Sequence, residues 1–103
     1  PKTREEMEII CREVPGCHMA NIVEGGLTPN LAMEQLREVG FQLAAYPLTL
    51  LAASMQAMKT TLELMRDDLP RSENLMDFEE LRDRIGFNSY YETSQVYETS
   101  RRS

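Results

Sequence analysis

The sequence predicts an α/β fold in which two parallel strands alternate with helices. Two short apolar runs, residues 17–23 and 41–46, have the length and composition of buried strands. Each run is followed by a segment in which apolar residues recur every three or four positions, as they do on one face of a helix. A strand, a helix and a second strand joined by short links form a βαβ unit, so we expect a right-handed crossover.

A first helix is predicted ahead of the first strand. Thr3 can cap its N-terminus, and Glu6, three residues on, completes a capping box. Its apolar face consists of Met7, Ile10, Cys11 and Val14. Pro15 and Gly16 follow this face, so we expect the helix to end there.

The end of the first strand holds the best candidates for chemistry. Asn21 interrupts the apolar run, and Glu24 follows it, ahead of a Gly-Gly pair that allows unusual backbone angles. The end of a parallel strand is where α/β folds place their functional groups. Asn21 suits a substrate carboxylate, but neighbouring backbone can also satisfy its amide. Glu24 can be a general base or simply a solvated loop residue.

The second helix and the second strand lead to another candidate position. Apolar residues from Leu31 to Val39 mark the helix, and Gly40 is placed to end it. The strand that follows closes at Pro47, and Thr49 comes just after it, where a third helix begins. Helix N-termini favour anions, so an anionic ligand can bind at this point. Thr49 can equally be a hydroxyl cap of that helix.

The third helix, residues 48–66, is the longest and the most apolar. Its main stripe consists of Leu48, Leu51, Met55, Met58, Leu62 and Met65, an unbroken seam with spacings of three and four. A helix that is apolar over so much of its girth must be covered on two sides. Two interpretations stay open. The helix lies either in the core between its own strands and the tail helices, or against a second chain.

The rest of the chain is predicted to be a linker and a helical tail. The four predicted segments are residues 1–66 with the βα units and the long helix, a polar linker at 67–76, a helical tail at 77–99 and a frayed end at 100–103. Asp77 with Glu80 predicts a capped helix that stops at Gly86. Asn88 is placed to cap the last helix.

Composition and cysteine spacing exclude several classes of function. A net charge of −6 argues against nucleic-acid binding, which needs Lys and Arg to neutralise phosphates. No apolar stretch reaches the roughly 18 residues of a membrane span. Cys11, Cys17 and His18 match no zinc spacing, so we expect no metal site and a structural role for His18. Buried free thiols in a reducing, cytoplasmic compartment are the expectation.

Two motifs in register resemble a known superfamily. A-N-I-V-E-G-G-x-T-P spans residues 20–29, and Tyr46-Pro47-Leu48-Thr49 closes the second strand. Both resemble the isocitrate lyase and phosphoenolpyruvate mutase superfamily, in the branch of the 2-methylisocitrate lyases, dimethylmalate lyases and oxaloacetate hydrolases. The resemblance implies the C-terminal part of a TIM-type (β/α)8 barrel, its last two βα units plus C-terminal helices, with the long helix swapped between subunits. A complete barrel takes roughly 250 residues, more than this chain has.

The resemblance also implies a function. Such enzymes use Mg²⁺ to break C–C bonds in small 2-hydroxy or 2-oxo dicarboxylates, with metal ligands and a catalytic acid outside the segment matched here. We therefore expect a C-terminal fragment of a lyase or hydrolase that is inactive and binds no cofactor alone, and a homo-oligomer formed through residues 48–66. The expected substrate-binding residues are Asn21, Ile22, Val23, Glu24 and Pro47. The alternative is a non-catalytic α/β oligomerisation module derived from that family.

Two further positions bear on the substrate. The methylisocitrate lyases of the resembled branch carry one Arg on the first turn of the long helix and another at the start of the helix after the linker. Both help to bind the tricarboxylate. The matching positions here are Ala52 and Phe78, and neither side chain can form the two-point fork that Arg forms with a carboxylate. The resemblance therefore implies a smaller dicarboxylate, such as oxaloacetate or a methylated malate.

Overall fold

The computed structural model describes residues 1–102, which form two short strands and five α-helices. The strands are β1 (Met19–Asn21) and β2 (Leu43–Ala45), and the helices are α1 (Arg4–Glu13), α2 (Met33–Val39), α3 (Thr49–Arg66), α4 (Phe78–Arg84) and α5 (Phe87–Arg102), with a 3-10 turn at Ser72–Asn74 between α3 and α4. The chain divides into two compact units, Pro1–Lys59 and Thr60–Ser103. The linker predicted at 67–76 lies within the second unit.

The two strands pair in parallel, which confirms the predicted α/β class. Asn21 stands opposite Ala45 at the end of the ladder. Each strand is three residues long, shorter than the predicted runs 17–23 and 41–46. The pairing is short because the backbone leaves the ladder soon after the hydrogen bond from Ile22 N to Ala45 O, 2.8 Å long. Two strands are all that residues 1–102 contain, so the barrel stays a prediction.

The core of the first unit is small and lies between the sheet and its two helices. Its buried members are Met7, Ala20, Ile22, Leu36 and Val39. Gly40 ends α2 with a φ of 119°, in the left-handed region. It also lies against α1, since a Cβ at this position would be 3.0 Å from the Cβ of Cys11. The predicted C-cap is therefore confirmed, and close helix packing gives glycine a second reason to stand there.

The N-terminal cap of α1 is confirmed in part. The Thr3 side chain accepts a hydrogen bond from the backbone N–H of Glu6 at 3.1 Å. The Glu6 carboxylate accepts from the N–H of Lys2 at 2.6 Å, one residue before the position that a capping box requires. The helix start is thus satisfied by both side chains, in a slightly shifted arrangement.

The two thiols differ, and the prediction that both are buried is wrong. Cys17 is exposed, because it lies in the loop between α1 and β1 that Gly16 opens. Cys11 is half-buried against the core, and this burial raises the pKa of its thiol. Both cysteines are free thiols.

Helix α3 contains no buried residue. The six residues of its apolar seam, which we call the α3 seam (Leu48, Leu51, Met55, Met58, Leu62 and Met65), are each between 47% and 64% exposed. The burial that the core-helix interpretation predicts is therefore not found within residues 1–102. Within residues 1–102, no helix is both long enough and apolar enough to cross a membrane.

The second unit contains two helices joined at one glycine. Asp77 caps α4 by accepting from the N–H groups of Glu79 and Glu80 at 3.1 and 3.3 Å, which confirms the predicted cap. Gly86, with a φ of 87°, separates α4 from α5, and its carbonyl accepts from Tyr90 N at 3.0 Å. The prediction that Asn88 caps α5 is wrong, because Gly86 starts the helix directly and Asn88 lies inside its first turn.

The end of α5 also differs from expectation. Helix α5 extends through Arg102 and so includes residues 100–102 of the segment that we predict to fray. Ser103 lies outside the described residues. The hydroxyls of Thr99 and Ser100 donate to carbonyls one turn back, at 2.9 and 3.1 Å, and so remain inside the helical pattern.

Candidate functional site

The carboxyl ends of the two parallel strands place two loops side by side. The first loop follows Asn21, and the second, which contains Pro47, runs from Ala45 to the start of α3. Because Asn21 pairs with Ala45 in the ladder, both loops begin at the same edge of the sheet. This edge is where parallel α/β folds carry their functional groups. The predicted substrate-binding residues therefore lie on the two loops of one edge.

Asn21 has the properties of a ligand-binding residue. It is exposed at the last position of β1. Within the described part of the chain, its amide makes no hydrogen bond, so the interpretation that neighbouring backbone satisfies it does not hold there. It lines a cavity of about 250 Å³ that also runs past Met7, His18, Thr28 and Phe41 and so reaches the amino end of β1. An amide both donates and accepts, which suits a carboxylate or a bound water.

Ile22 and Val23 present little to a ligand through their side chains. Ile22 is fully buried in the core, and its N–H donates to the carbonyl of Ala45. Val23 is half-buried, and its carbonyl accepts from Gly26 N at 2.9 Å. A role in substrate binding for these two residues stays a prediction. Their visible contribution is to hold the backbone directly after the strand end.

A tight turn follows the strand and sets the position of Glu24. Gly26 N bonds to Val23 O, so Glu24 and Gly25 are the two central residues of the turn. Gly25 has a φ of 78°, the value that a type II turn requires at its third position. A Cβ on Gly26 would lie 2.9 Å from the carbonyl oxygen of Val23. Gly25 is therefore required by its positive φ, and Gly26 is required because there is no room for a Cβ.

Glu24 meets the start of α3. The hydroxyl of Thr49 lies 2.7 and 2.8 Å from the two carboxylate oxygens of Glu24 and donates to them. Thr49 is the first residue of α3, and its hydroxyl is engaged as a donor, whereas a cap would accept from a backbone N–H. Sequence reasoning considered both residues separately and missed their contact. Their shared position just beyond the ends of adjacent strands predicts that the two residues lie near each other, but not that this hydrogen bond joins them.

The remaining polar candidate, His18, belongs to the opposite end of the sheet. Its Nε2 lies 2.7 Å from the carbonyl oxygen of Val14, so this nitrogen donates to the C-terminal end of α1. Its backbone N–H donates to the side chain of Gln42 at 2.7 Å. These contacts tie α1 to the entry of β1, and they agree with a structural role for His18.

The part of the chain that the structure describes contains no group of metal ligands. Among residues 1–102, no three His, Cys, Asp or Glu side chains lie together as a metal ion would require. The Glu24 side chain accepts hydrogen bonds from the hydroxyl of Thr49, and no second carboxylate takes part in these contacts. The donor set of this edge therefore does not fit a metal centre.

Comparison with known proteins identifies relatives along nearly the whole chain. No family model matches it. It is 30% identical over 104 residues to the chloroplastic carboxyvinyl-carboxyphosphonate phosphorylmutase of Arabidopsis thaliana, a match that covers 98% of this chain and 31% of that protein. It is also 30% identical over 104 residues to the 2,3-dimethylmalate lyase of Eubacterium barkeri, with 98% and 36% covered. The 2-methylisocitrate lyase of Aeropyrum pernix is 33% identical over 89 residues, with 84% and 29% covered.

A solved structure agrees with these sequence matches. A crystal structure of 2,3-dimethylmalate lyase superposes with a TM-score of 0.75 at 26% identity and covers 92% of this chain and 34% of that one. The chain spans about a third of the length of the curated relatives that it matches. The resemblance drawn from the two motifs is confirmed. The chain belongs to the PEP mutase/isocitrate lyase superfamily and matches the C-terminal part of its members.

Proposed function

We propose that this chain is the C-terminal part of a longer enzyme that breaks a C–C bond in a small 2-hydroxy or 2-oxo dicarboxylate. The observation that carries the proposal is Asn21, an amide that is exposed at the carboxyl end of a parallel strand, lines a cavity and has no hydrogen-bond partner among residues 1–102. The relatives named 2,3-dimethylmalate lyase and 2-methylisocitrate lyase support the reaction class, since both match most of this chain.

In the proposed reaction this chain binds and orients the substrate. The Asn21 amide N–H groups donate to a substrate carboxylate or to a water that the substrate contacts. The backbone around Asn21 is fixed before it by the ladder pairing of Ala20 with Ala44 and after it by the hydrogen bond from Ile22 N to Ala45 O. A donor held rigidly in this way needs no rearrangement as charge develops in the transition state.

The metal of the proposed enzyme has its ligands outside this chain. We propose Mg²⁺ for the whole protein, where it would polarise the substrate oxygens and stabilise the developing enolate. The carboxylates of residues 1–102 are dispersed and form no group that could hold it. We also propose that the whole protein is a homo-oligomer associated through residues 48–66, and that it works in the cytoplasm, where its free thiols stay reduced.

A second candidate is a non-catalytic oligomerisation module. The α3 seam favours it, because an exposed apolar stripe on a helix with no buried residue is an association surface whether or not chemistry occurs nearby. The reading frame of the parent protein separates the two candidates. Strands with acidic residues encoded upstream would support the enzyme, and a start codon close to residue 1 would support the module.

The substitution Asn21→Ala tests the proposed function in the whole protein. We expect kcat/KM to fall by about tenfold or more with Mg²⁺ and a dicarboxylate substrate, because a hydrogen bond to a charged group is lost. Asn30→Ala is the matched control, since Asn30 is an exposed amide of the same loop, and it should retain wild-type kinetics. Unchanged kinetics in Asn21→Ala would show that this residue binds no substrate.

A further inference from the structure

We propose that Glu24 is a positioning residue, whose hydrogen bond to Thr49 anchors the loop after β1 to α3 and thereby holds Asn21 in its binding position. This inference rests on the proposed function, because Asn21 must bind substrate for its position to matter. It assigns Glu24 a task different from substrate binding and from proton transfer. It also makes Thr49, which touches no substrate in this scheme, a residue that influences turnover.

The geometry of the contact is that of an anchor. The two residues are 25 positions apart in the chain, and the Thr49 hydroxyl is almost equidistant from the two Glu24 oxygens, at 2.7 and 2.8 Å. One hydroxyl proton shared by both oxygens fixes the plane of the carboxylate as well as its position. Free rotation of Glu24 towards a substrate is correspondingly restricted.

The loop after β1 has few other attachments of this kind. Two of its hydrogen bonds lie within the loop itself, from Gly26 N to Val23 O and from Leu31 N to Pro29 O. They shape the turn but do not join it to another element. The bond from Ile22 to Ala45 holds the strand end. Glu24 extends this hold to the helix that follows β2, so the backbone that leaves Asn21 is attached to β2 at Ile22 and to α3 at Glu24.

Charge gives the contact a second basis. Helix α3 has no acidic residue in its own first turn. The carboxylate of Glu24 supplies a negative charge at this end, where the helix dipole favours one. The same charge repels a dicarboxylate substrate. The Glu24 carboxylate thus occupies the N-terminus of α3, and the substrate carboxylate binds at Asn21 instead.

Kinetic coupling distinguishes positioning from a merely structural role and from general-base catalysis. In the whole protein we expect Thr49→Val to lower kcat/KM by about fivefold, the effect of one modest hydrogen bond. In an Asn21→Ala background the same change should cost less than about twofold, because nothing is left to position. Thr49→Ser should restore most of the loss, and Glu24→Gln, which keeps an acceptor oxygen, should retain more activity than Glu24→Ala.

Amide hydrogen exchange tests the anchor without any turnover. In Thr49→Val, the Gly26 N–H should exchange about tenfold faster than in wild type, whereas Thr49→Ser should leave it slow. Thr61→Val, the same substitution at a half-buried position of α3, is the control and should not change this amide. Unchanged exchange at Gly26 in Thr49→Val would overturn the anchor even if the whole protein proves to be an active lyase.

The kinetic and the amide-exchange measurements test the proposed function and the anchor independently of each other. Faster exchange at Gly26 in a protein that turns over no dicarboxylate would support the anchor and contradict the proposed function. A loss of more than about a hundredfold in Glu24→Gln, with little loss in Thr49→Val, would identify Glu24 as a general base and overturn the positioning role. Equal losses from Thr49→Val with and without Asn21 would overturn it as well.

Discussion

A whole protein containing this chain is expected to process 2-methylisocitrate with a kcat/KM about a thousandfold or more below that for 2,3-dimethylmalate or oxaloacetate. The tricarboxylate brings a third charge into the site. The chain has Ala52 and Phe78 at the positions where the methylisocitrate-specific branch is expected to carry Arg. A carboxylate buried without its partner costs several kcal/mol, which is about the size of this difference.

The structure places both positions at the start of a helix. Ala52 lies in the first turn of α3, where its N–H donates to Leu48 O at 2.8 Å. Phe78 is the first residue of α4 and is 69% exposed. The guanidinium of Arg82 lies over its ring at 6.0 Å and over Tyr91 at 5.8 Å. The Arg82 guanidinium already contacts two aromatic rings. It also lies one helical turn beyond position 78, where an Arg would form the two-point contact with a carboxylate.

The test is a side-by-side assay of the whole protein on the three substrates. Ala52→Arg combined with Phe78→Arg should raise the relative kcat/KM for 2-methylisocitrate, and Ala53→Arg, the neighbouring position on α3, is the control for added charge. The highest kcat/KM for 2-methylisocitrate in the unmodified protein would show that the inference from these two positions is wrong.

The second large effect concerns association. The chain is expected to be oligomeric at micromolar concentration, because each residue of the α3 seam is about half exposed or more and no residue of α3 is buried. Contiguous apolar surface of this kind marks an interaction site, and each strand has just one partner among residues 1–102. Met58→Glu places a charge in the middle of the seam and should dissociate the assembly or unfold it.

Sedimentation measures this directly. Wild type should sediment as an oligomer, and Met58→Glu should shift it to a monomer or an unfolded chain. Lys59→Glu introduces the same side chain one position along, outside the seam, and should leave the assembly intact. A wild-type chain that sediments as a well-folded monomer at micromolar concentration would contradict the association.

Local backbone rules explain which parts of the fold could be predicted. The ends of α2 and α4 followed from Gly40 and Gly86, since both adopt a positive φ that other residues avoid. The strands are shorter than the predicted runs because an apolar run indicates only that residues are buried, whereas a strand also needs a neighbouring strand to pair with. Val23, for example, is half-buried but already belongs to the turn. The start of α5 differs from the prediction because Gly86 begins the helix directly, although Asn88 is the residue type that more often caps a helix.

In the candidate site, too, some features could be predicted from the sequence and others could not. Asn21 could be singled out because a lone amide in an apolar strand is unusual and has to find partners. The contact between Glu24 and Thr49 could not, because it depends on the parallel register that sets Asn21 against Ala45. No local pattern reports which of two loops, 25 residues apart, will supply a hydroxyl to the other. The exposure of α3 likewise depends on which elements pack against it, and the spacing of its apolar residues does not identify them.

The most direct test of the account compares the isolated chain with the whole protein in one assay for C–C cleavage, with Mg²⁺ and a panel of small dicarboxylates. We assign this chain a part of the substrate pocket, and residues 1–102 hold no group of metal ligands. We therefore expect turnover by the whole protein and none above the blank by residues 1–103. Turnover by the isolated chain that survives repurification and disappears in Asn21→Ala would contradict it, as would a folded whole protein that cleaves no substrate of the panel.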